Sequence, residues 1–317
     1  MTNADVLYLS DADVVSCGLT PDEVTGAVED AFRTNTGGGK LALPVSALVS
    51  FTGKGGVLVD DGYAAVKWYG YVGDNAARSL PDFSPVIVLS STESGLPVAI
   101  LDGRWISAVR TASITAAAAT VLAKPASRSV GFVACGTQAV ANLEALRARF
   151  ELDRIVAYSR NFETAERFAA RARNLGLKAD PVADPKLAVE GLDIVVTSVP
   201  KLSEPTRFLD ARWVSEGSFV SMVDLGFGWN AATMGFFDAV VTDRFEAGTR
   251  RPGDVLNYEG EFAADLSELL RAPSAWANDG SHRHGLVFAG SGIADAAASL
   301  AVYRRALEKG VGVRLPR

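Results

Sequence analysis

Ser129-Val130-Gly131-Phe132-Val133-Ala134-Cys135-Gly136-Thr137-Gln138-Ala139 is the stretch whose reading decides the fold. A short apolar run enters a turn of small residues and continues into a helix-forming segment. Such a turn lets the backbone approach a pyrophosphate, because the helix N-terminus offers N–H groups and a favourable dipole, and small side chains leave room. The dinucleotide fingerprint is G-x-G-x-x-G/A. Here it reads Ala134-Cys135-Gly136-Thr137-Gln138-Ala139, with alanine in place of the first glycine. The motif is weak by itself; its setting between a strand and a helix, with a second strand following at 154–158, supports it.

Outward from this turn, the downstream sequence alternates. Strands are expected at 128–134, 154–158, 193–198, 218–223 and 239–242, and helices at 138–150, 163–175 and 187–190. That rhythm predicts a parallel, doubly wound sheet. A helix at 293–309 closes the chain before Gly310 and is expected to return to the first domain. Upstream, 41–51, 56–59, 64–71, 85–89 and 97–101 read as strands, with a hairpin turn at Ser91-Thr92-Glu93-Ser94-Gly95. Before them, Thr20-Pro21-Asp22-Glu23 caps a helix that the run from Thr36 to Lys40 ends. Another helix spans 107–124 and stops at Pro125.

The chain has 317 residues, about two domains' worth. A 48% hydrophobic and 21% charged composition is that of a globular protein and excludes a disordered chain or a small disulfide scaffold. The net charge of −6 argues against a nucleic-acid partner. The two cysteines, Cys17 and Cys135, fit no metal or redox spacing and read as free thiols. The two histidines, His282 and His284, lie in a polar, glycine-containing stretch that reads as a solvated loop, so no metal site is expected. The N-terminus lacks a basic region followed by an apolar core, and the alanine-rich stretch 114–123 is too short to span a bilayer. No membrane partner is therefore expected, and the cytoplasm is the expected compartment.

Three sets of polar residues carry chemistry. Lys67 interrupts an apolar run; facing a cleft, it can hold a carboxylate or move a proton. Arg110, in the small-residue segment 107–113, can grip a carboxylate with its guanidinium fork. At the end of the second strand, where NAD-preferring domains carry an acidic residue, stand Ser159 and Arg160. An arginine there can pair with a 2′-phosphate, which favours NADP(H) while leaving NAD(H) possible. No nucleophile elbow is present.

Taken together, Lys67-Trp68, Asn75, Leu80-Pro81, Ser94-Gly95-Leu96-Pro97, Leu101-Asp102-Gly103, Arg110-Thr111-Ala112, Gly136-Thr137-Gln138-Ala139 and Gly292-Ile293-Ala294-Asp295 resemble the ornithine cyclodeaminase/μ-crystallin family, in order and spacing over about residues 40–310. The resemblance implies an α/β fold, with a Rossmann-type doubly wound nucleotide domain (116–292) inserted in a smaller α+β substrate and dimerisation domain (1–115 plus 293–317). It implies a homodimer acting on a small imino- or amino-acid substrate. The implied activity is NAD(P)H-dependent imine reduction, or amino-acid dehydrogenation, at the α-carbon. The alternatives are an ammonia-releasing cyclodeaminase using catalytic NAD+, or a non-catalytic NADPH-binding protein.

Carried over by residue, the resemblance assigns Lys67 to substrate contact and proton transfer, and Arg110 to the carboxylate. Thr111, Gly136, Thr137, Gln138, Ala139 and Thr197 are assigned to the cofactor, with Ser159 and Arg160 at its ribose and Ser221 and Ser291 toward the nicotinamide. Ser46 and Asp82 join Lys67 and Arg110 as pocket residues. The aromatics Trp68, Tyr69 and Trp229 read equally as pocket or as core residues. Two departures stand out. Ser46 replaces the family's arginine after Pro44, which argues against a simple amino-acid substrate. Asp224, the catalytic acid candidate, is shifted by about two positions from the family's acidic residue, which argues against a cyclodeaminase.

Overall fold

Alternation of side chains along the upstream strands builds one face for burial and one for exposure. The computed structural model describes residues 5–34, 37–44, 49–73, 75–200, 207–243 and 257–316, without the side chains of 40–44 and 76. It divides into two compact units, Met1–Arg110 with Ser291–Arg317, and Thr111–Gly290.

The first unit begins with β1 (Val6–Leu9), α1 (Asp11–Ser16) and α2 (Pro21–Thr34). The expected cap of α2 is present: the Thr20 hydroxyl accepts from the Glu23 backbone N–H at 3.2 Å, while Glu23 accepts from the Thr20 N–H at 2.7 Å. Next come β2 (Gly38–Pro44), β3 (Val49–Leu58), β4 (Tyr63–Val72), β5 (Phe83–Ser91) and β6 (Pro97–Asp102). Two expectations need correction here. The run 41–51 is not one strand but parts of the antiparallel pair β2 and β3, and the glycines after α2 do not simply end that helix but enter β2. Glycines and an interior proline mask the strand pattern there. The β5–β6 hairpin is as expected, with Gly95 at φ +71° in its turn.

α3 (Arg104–Leu122) leads into the second unit. It is long and apolar enough to cross a membrane by composition, but most of it is buried, as befits a core helix. The second unit then alternates β7 (Ser129–Val133), α4 (Thr137–Arg147), β8 (Arg154–Tyr158), α5 (Phe162–Asn174), β9 (Lys178–Val182), β10 (Ile194–Thr197), β11 (Phe219–Met222), β12 (Ala239–Thr242), α6 (Leu266–Arg271) and β13 (His284–Val287). These strands pair in parallel in the order β12-β13-β11-β10-β7-β8-β9. The order reverses between β7 and β10, the switch point at which doubly wound sheets bind ligands outside the carboxyl ends of the strands. β7, β10, β11 and β13 are buried along their whole length, which is why they read as apolar runs and not as alternating ones.

The histidine stretch is a third correction. His284 is not in a solvated loop: it opens the buried strand β13, and its Nδ1 lies 3.0 Å from the Leu122 carbonyl at the end of α3. Its pKa is lowered, mainly by burial.

The chain then returns to the first unit through α7 (Gly292–Lys309), closed by Gly310 at φ +66°, and β14 (Val313–Leu315). The sheet of this unit runs β14-β1-β6-β5-β4-β3-β2, with β1 parallel to β6 and the other pairs antiparallel. α7 packs across β3 and β4, with α2 beside it.

Candidate active site

In the first unit, the register of β3 and β4 sets Lys54 directly opposite Lys67 on the buried face of the sheet. Two like charges facing each other on a buried face need an anion. α7 supplies it. Gly55 and Gly56 in β3 and Gly292 in α7 let helix and strand approach backbone to backbone; a Cβ on Gly56 would lie 2.5 Å from the Gly292 carbonyl oxygen. This approach lets Asp295, one turn into α7, meet β4. Its Oδ1 lies 2.7 Å from Lys67 Nζ and 2.9 Å from Arg110 Nε, and Asp295 and Lys67 are both 1% exposed. Lys67 Nζ also donates to the Ser107 hydroxyl at 3.2 Å and stands 5.6 Å over the Tyr69 ring.

Burial, and then the charge of Arg110, lower Lys67 to about 7, against the pull of Asp295. Burial opposes ionisation of Asp295, but the charges of Arg110, Lys67 and Lys54 outweigh it and hold the carboxyl below its usual range. The cluster therefore combines a fixed guanidinium, a fixed carboxylate and an ammonium poised to change state near neutrality.

Lys67 and Arg110, expected from the sequence, are thus brought together. The cluster also holds Asp295, Lys54 and Ser107, to which the sequence pattern assigns no role. A lysine within the glycine-rich β3 and an aspartate within the alanine-rich α7 were the available signals. Asp82 sits half-buried in the turn before β5, where its charge, after burial, raises the pKa of Tyr71. Trp68 points to the opposite, outward face of the sheet. Ser46 lies outside the described residues. Ser291 caps α7, its hydroxyl accepting from the Ile293 N–H at 3.2 Å.

In the second unit, the turn after β7 has the form a pyrophosphate requires. Ala134, in the place of the fingerprint's first glycine, takes φ +70°, the left-handed conformation that glycine normally supplies. Gly136 is the N-cap of α4, with no side-chain cap among the described residues and nothing within 4 Å of where its Cβ would stand. Gln138 Oε1 is buried, again without a hydrogen-bond partner among the described residues. Open space and first-turn N–H groups at one helix N-terminus fit a dinucleotide phosphate. The Ser159 hydroxyl accepts from the Cys135 N–H at 2.9 Å, joining the end of β8 to this turn, and Arg160 follows on the surface. The Cys135 thiol is pushed up to about 11, chiefly by burial.

Two other hydroxyls assigned to the cofactor, those of Thr197 and Ser221, have internal partners. Thr197 Oγ1 donates to Asp224 Oδ1 at 3.1 Å and accepts from Trp229 Nε1 at 3.3 Å; Ser221 pairs with Thr115 at 2.8 Å. Thr111 is buried on α3. Trp229 is a fully buried core residue. Asp224 accepts from Thr197, from the Val199 N–H at 3.2 Å and from the Gly226 N–H at 3.2 Å. These bonds hold a turn in which Leu225 is forced to φ +61°. Burial raises the Asp224 carboxyl to about 6 despite those bonds.

A family model for the ornithine cyclodeaminase/mu-crystallin family matches residues 7–310. The chain belongs to this family. The alanine dehydrogenase of Archaeoglobus fulgidus is 29% identical to this family member over 98% of both chains. The Delta(1)-pyrroline-2-carboxylate reductase of Bacillus cereus is 26% identical over 73% of both. Among solved structures, an archaeal alanine dehydrogenase dimer with bound NAD superposes with a TM-score of 0.86 at 26% identity, covering 98% of this chain and 99% of that one. The α/β fold with its Rossmann-like parallel sheet is shared with that structure.

Proposed function

We propose that the protein is an NAD(P)-dependent oxidoreductase acting on the C=N bond of an α-imino acid, or on the CH–NH bond in the reverse direction. The observation that carries this reading is the convergence of Lys67, Arg110 and Asp295 in one buried cluster. The family's reductase and dehydrogenase members named above support it.

The Arg110 guanidinium grips the substrate carboxylate. Lys67, held by Asp295 Oδ1 and Ser107, steadies the substrate and passes a proton to it in the reductive direction. A cofactor bound at the turn after β7 supplies the hydride. Gly136, Thr137, Gln138 and Ala139 hold its pyrophosphate, while Ser159 and Arg160 face its ribose, with Arg160 favouring NADP(H). Asp224 acts by positioning the loop after β11 and touches no substrate.

The working form is a homodimer, joined through the outward face of the first unit's sheet. There Phe51, Val57, Val66, Trp68 and Val86 are exposed together, and Phe51 stacks on Trp68 with centroids 5.9 Å apart.

The test follows NADPH and NADH oxidation by the purified protein with 2-oxo acids, with and without ammonium or methylamine, and with cyclic imines. Oxidation that requires the amine, or proceeds on a preformed imine, is expected. Ammonia release from ornithine or lysine with catalytic NAD+ would instead make it a cyclodeaminase. NADPH binding with neither activity would make it a binding protein.

A further inference from the structure

Asp295 carries more than the pairing of two cations. Its Oδ1 meets both Lys67 Nζ and Arg110 Nε, while its Oδ2 is buried with no hydrogen-bond partner among the described residues. An ionised carboxylate oxygen left without a donor in the interior is costly, and native proteins seldom keep one without a use. Arg110 Nε is likewise out of line for a hydrogen bond despite its 2.9 Å approach to Asp295. Lys67 and Arg110 share the single oxygen Oδ1 of Asp295. The cluster therefore has a cationic side that suits a ligand anion, and it needs an N–H or O–H donor at Oδ2.

A single ligand meeting both needs carries a carboxylate and a hydrogen-bond donor on adjacent atoms. The donor beside Oδ2 gains most when it is itself positive, since a charge-assisted hydrogen bond is about twice as strong as a neutral one. We propose that Asp295 Oδ2 is the acceptor for the substrate's α-nitrogen, so that the site selects zwitterionic amino and iminium acids over the hydroxy acids of the same skeleton. The proposal deepens the reading above and rests on it for the carboxylate at Arg110. Asp295 thus has two tasks on two oxygens: Oδ1 sets the places of Lys67 and Arg110, and Oδ2 reads the chemical class of the ligand. A cyclic or substituted imine is accepted as readily as a primary one, provided its nitrogen keeps one proton.

The test measures binding and not turnover, so its outcome is independent of whether the reductase assay succeeds. Calorimetric titration of the wild-type protein, with and without NADP+, compares matched pairs that differ in one group: L-alanine with L-lactate, L-aspartate with L-malate, and L-phenylalanine with L-phenyllactate. In the pair that binds best, the amino acid is expected to bind at least about 10-fold tighter than the hydroxy acid, the fold-change that follows from a bond of about 1.5–3 kcal/mol to a charged group. Asp295→Asn keeps the shape and directs its carbonyl oxygen to Lys67 and Arg110, leaving an N–H donor where Oδ2 stood. In this variant the preference is expected to collapse or reverse toward the hydroxy acid, with the melting curve confirming a folded protein. Equal binding of the two members by wild type, or binding of neither member of any pair at millimolar concentration, would overturn the proposal. So would an equal loss of both members in Asp295→Asn, which would leave Asp295 as a positioning residue for Lys67 and Arg110 alone.

Discussion

Lys67 shows how much one buried side chain settles. Burial, together with the facing charge of Arg110, lowers its ammonium to about 7, while Asp295 resists; Lys54 opposite and the Tyr69 ring complete its surroundings. A lysine delivers a proton only while it is protonated, so imine reduction is expected to fall as pH rises through about 7. Lys67→Gln should slow reduction by about 100-fold or more and remove that descending limb, the usual scale of general-acid catalysis. An unchanged pH–rate profile in Lys67→Gln would exclude Lys67 as the donor. Arg160 offers a second check at this scale. If it meets a 2′-phosphate, Arg160→Ala should raise KM for NADPH by about 10-fold or more while leaving KM for NADH nearly unchanged, since a charge-assisted bond is worth about 1.5–3 kcal/mol. Ala134 offers a third. It stands at φ +70°, where a Cβ is strained, so Ala134→Gly is expected to stabilise the protein by up to about 1 kcal/mol in urea unfolding without loss of dinucleotide binding.

At the scale of elements, what was legible in the sequence was local. The turn from β7 into α4 declares itself because strand, small residues and helix are contiguous, and the cap of α2 because its partners stand three residues apart. β13 was hidden because its four residues follow a polar, glycine-containing stretch and its burial comes from neighbouring strands that lie far off in sequence. The same limit hid Asp295: its partner Lys67 is 228 residues away, and only the meeting of α7 with β3 brings them together. That meeting depends on glycines at the contact, which yields a prediction of its own. Gly56→Val would place side-chain atoms against the Gly292 carbonyl, so α7 must move off the sheet. A loss of about 1–3 kcal/mol in urea unfolding is expected, the usual cost of overpacking. Lys67 should also titrate differently once Asp295 withdraws, visible as a displaced limb in the pH–rate profile. Unaltered stability would mean that the strand and helix do not need this approach.

For the molecule as a whole, the first unit's sheet turns two unlike faces to its surroundings. The inner face holds Lys54 and Lys67 under α7; the outer carries Phe51, Val57, Val66, Trp68 and Val86, each more than a third exposed. The pairing register makes the outer residues one continuous patch, since Val66 stands opposite Val88 and Trp68 opposite Val86. A β-rich apolar face of this kind invites association unless it is covered, and in the proposed dimer a second copy of the chain would cover it with the same residues by two-fold symmetry. The proposed dimer should therefore sediment at twice the chain mass at micromolar concentration. Trp68 is at the centre of the patch and its side chain lies on the face away from Lys67, so Trp68→Lys introduces a charge at the interface without entering the cluster. Its expected effect is a shift toward monomer, with substrate and cofactor titrations on the dissociated protein reporting how far a single copy of the chain binds by itself. A wild-type protein that sediments as a monomer, or a Trp68→Lys variant that remains fully dimeric, would place the interface elsewhere or remove it. Because the outer residues share strands β3 and β4 with the lysines of the inner face, covering one side stiffens the platform that holds the other, and the variant's loss of dimer should appear as weaker substrate binding before it appears as unfolding.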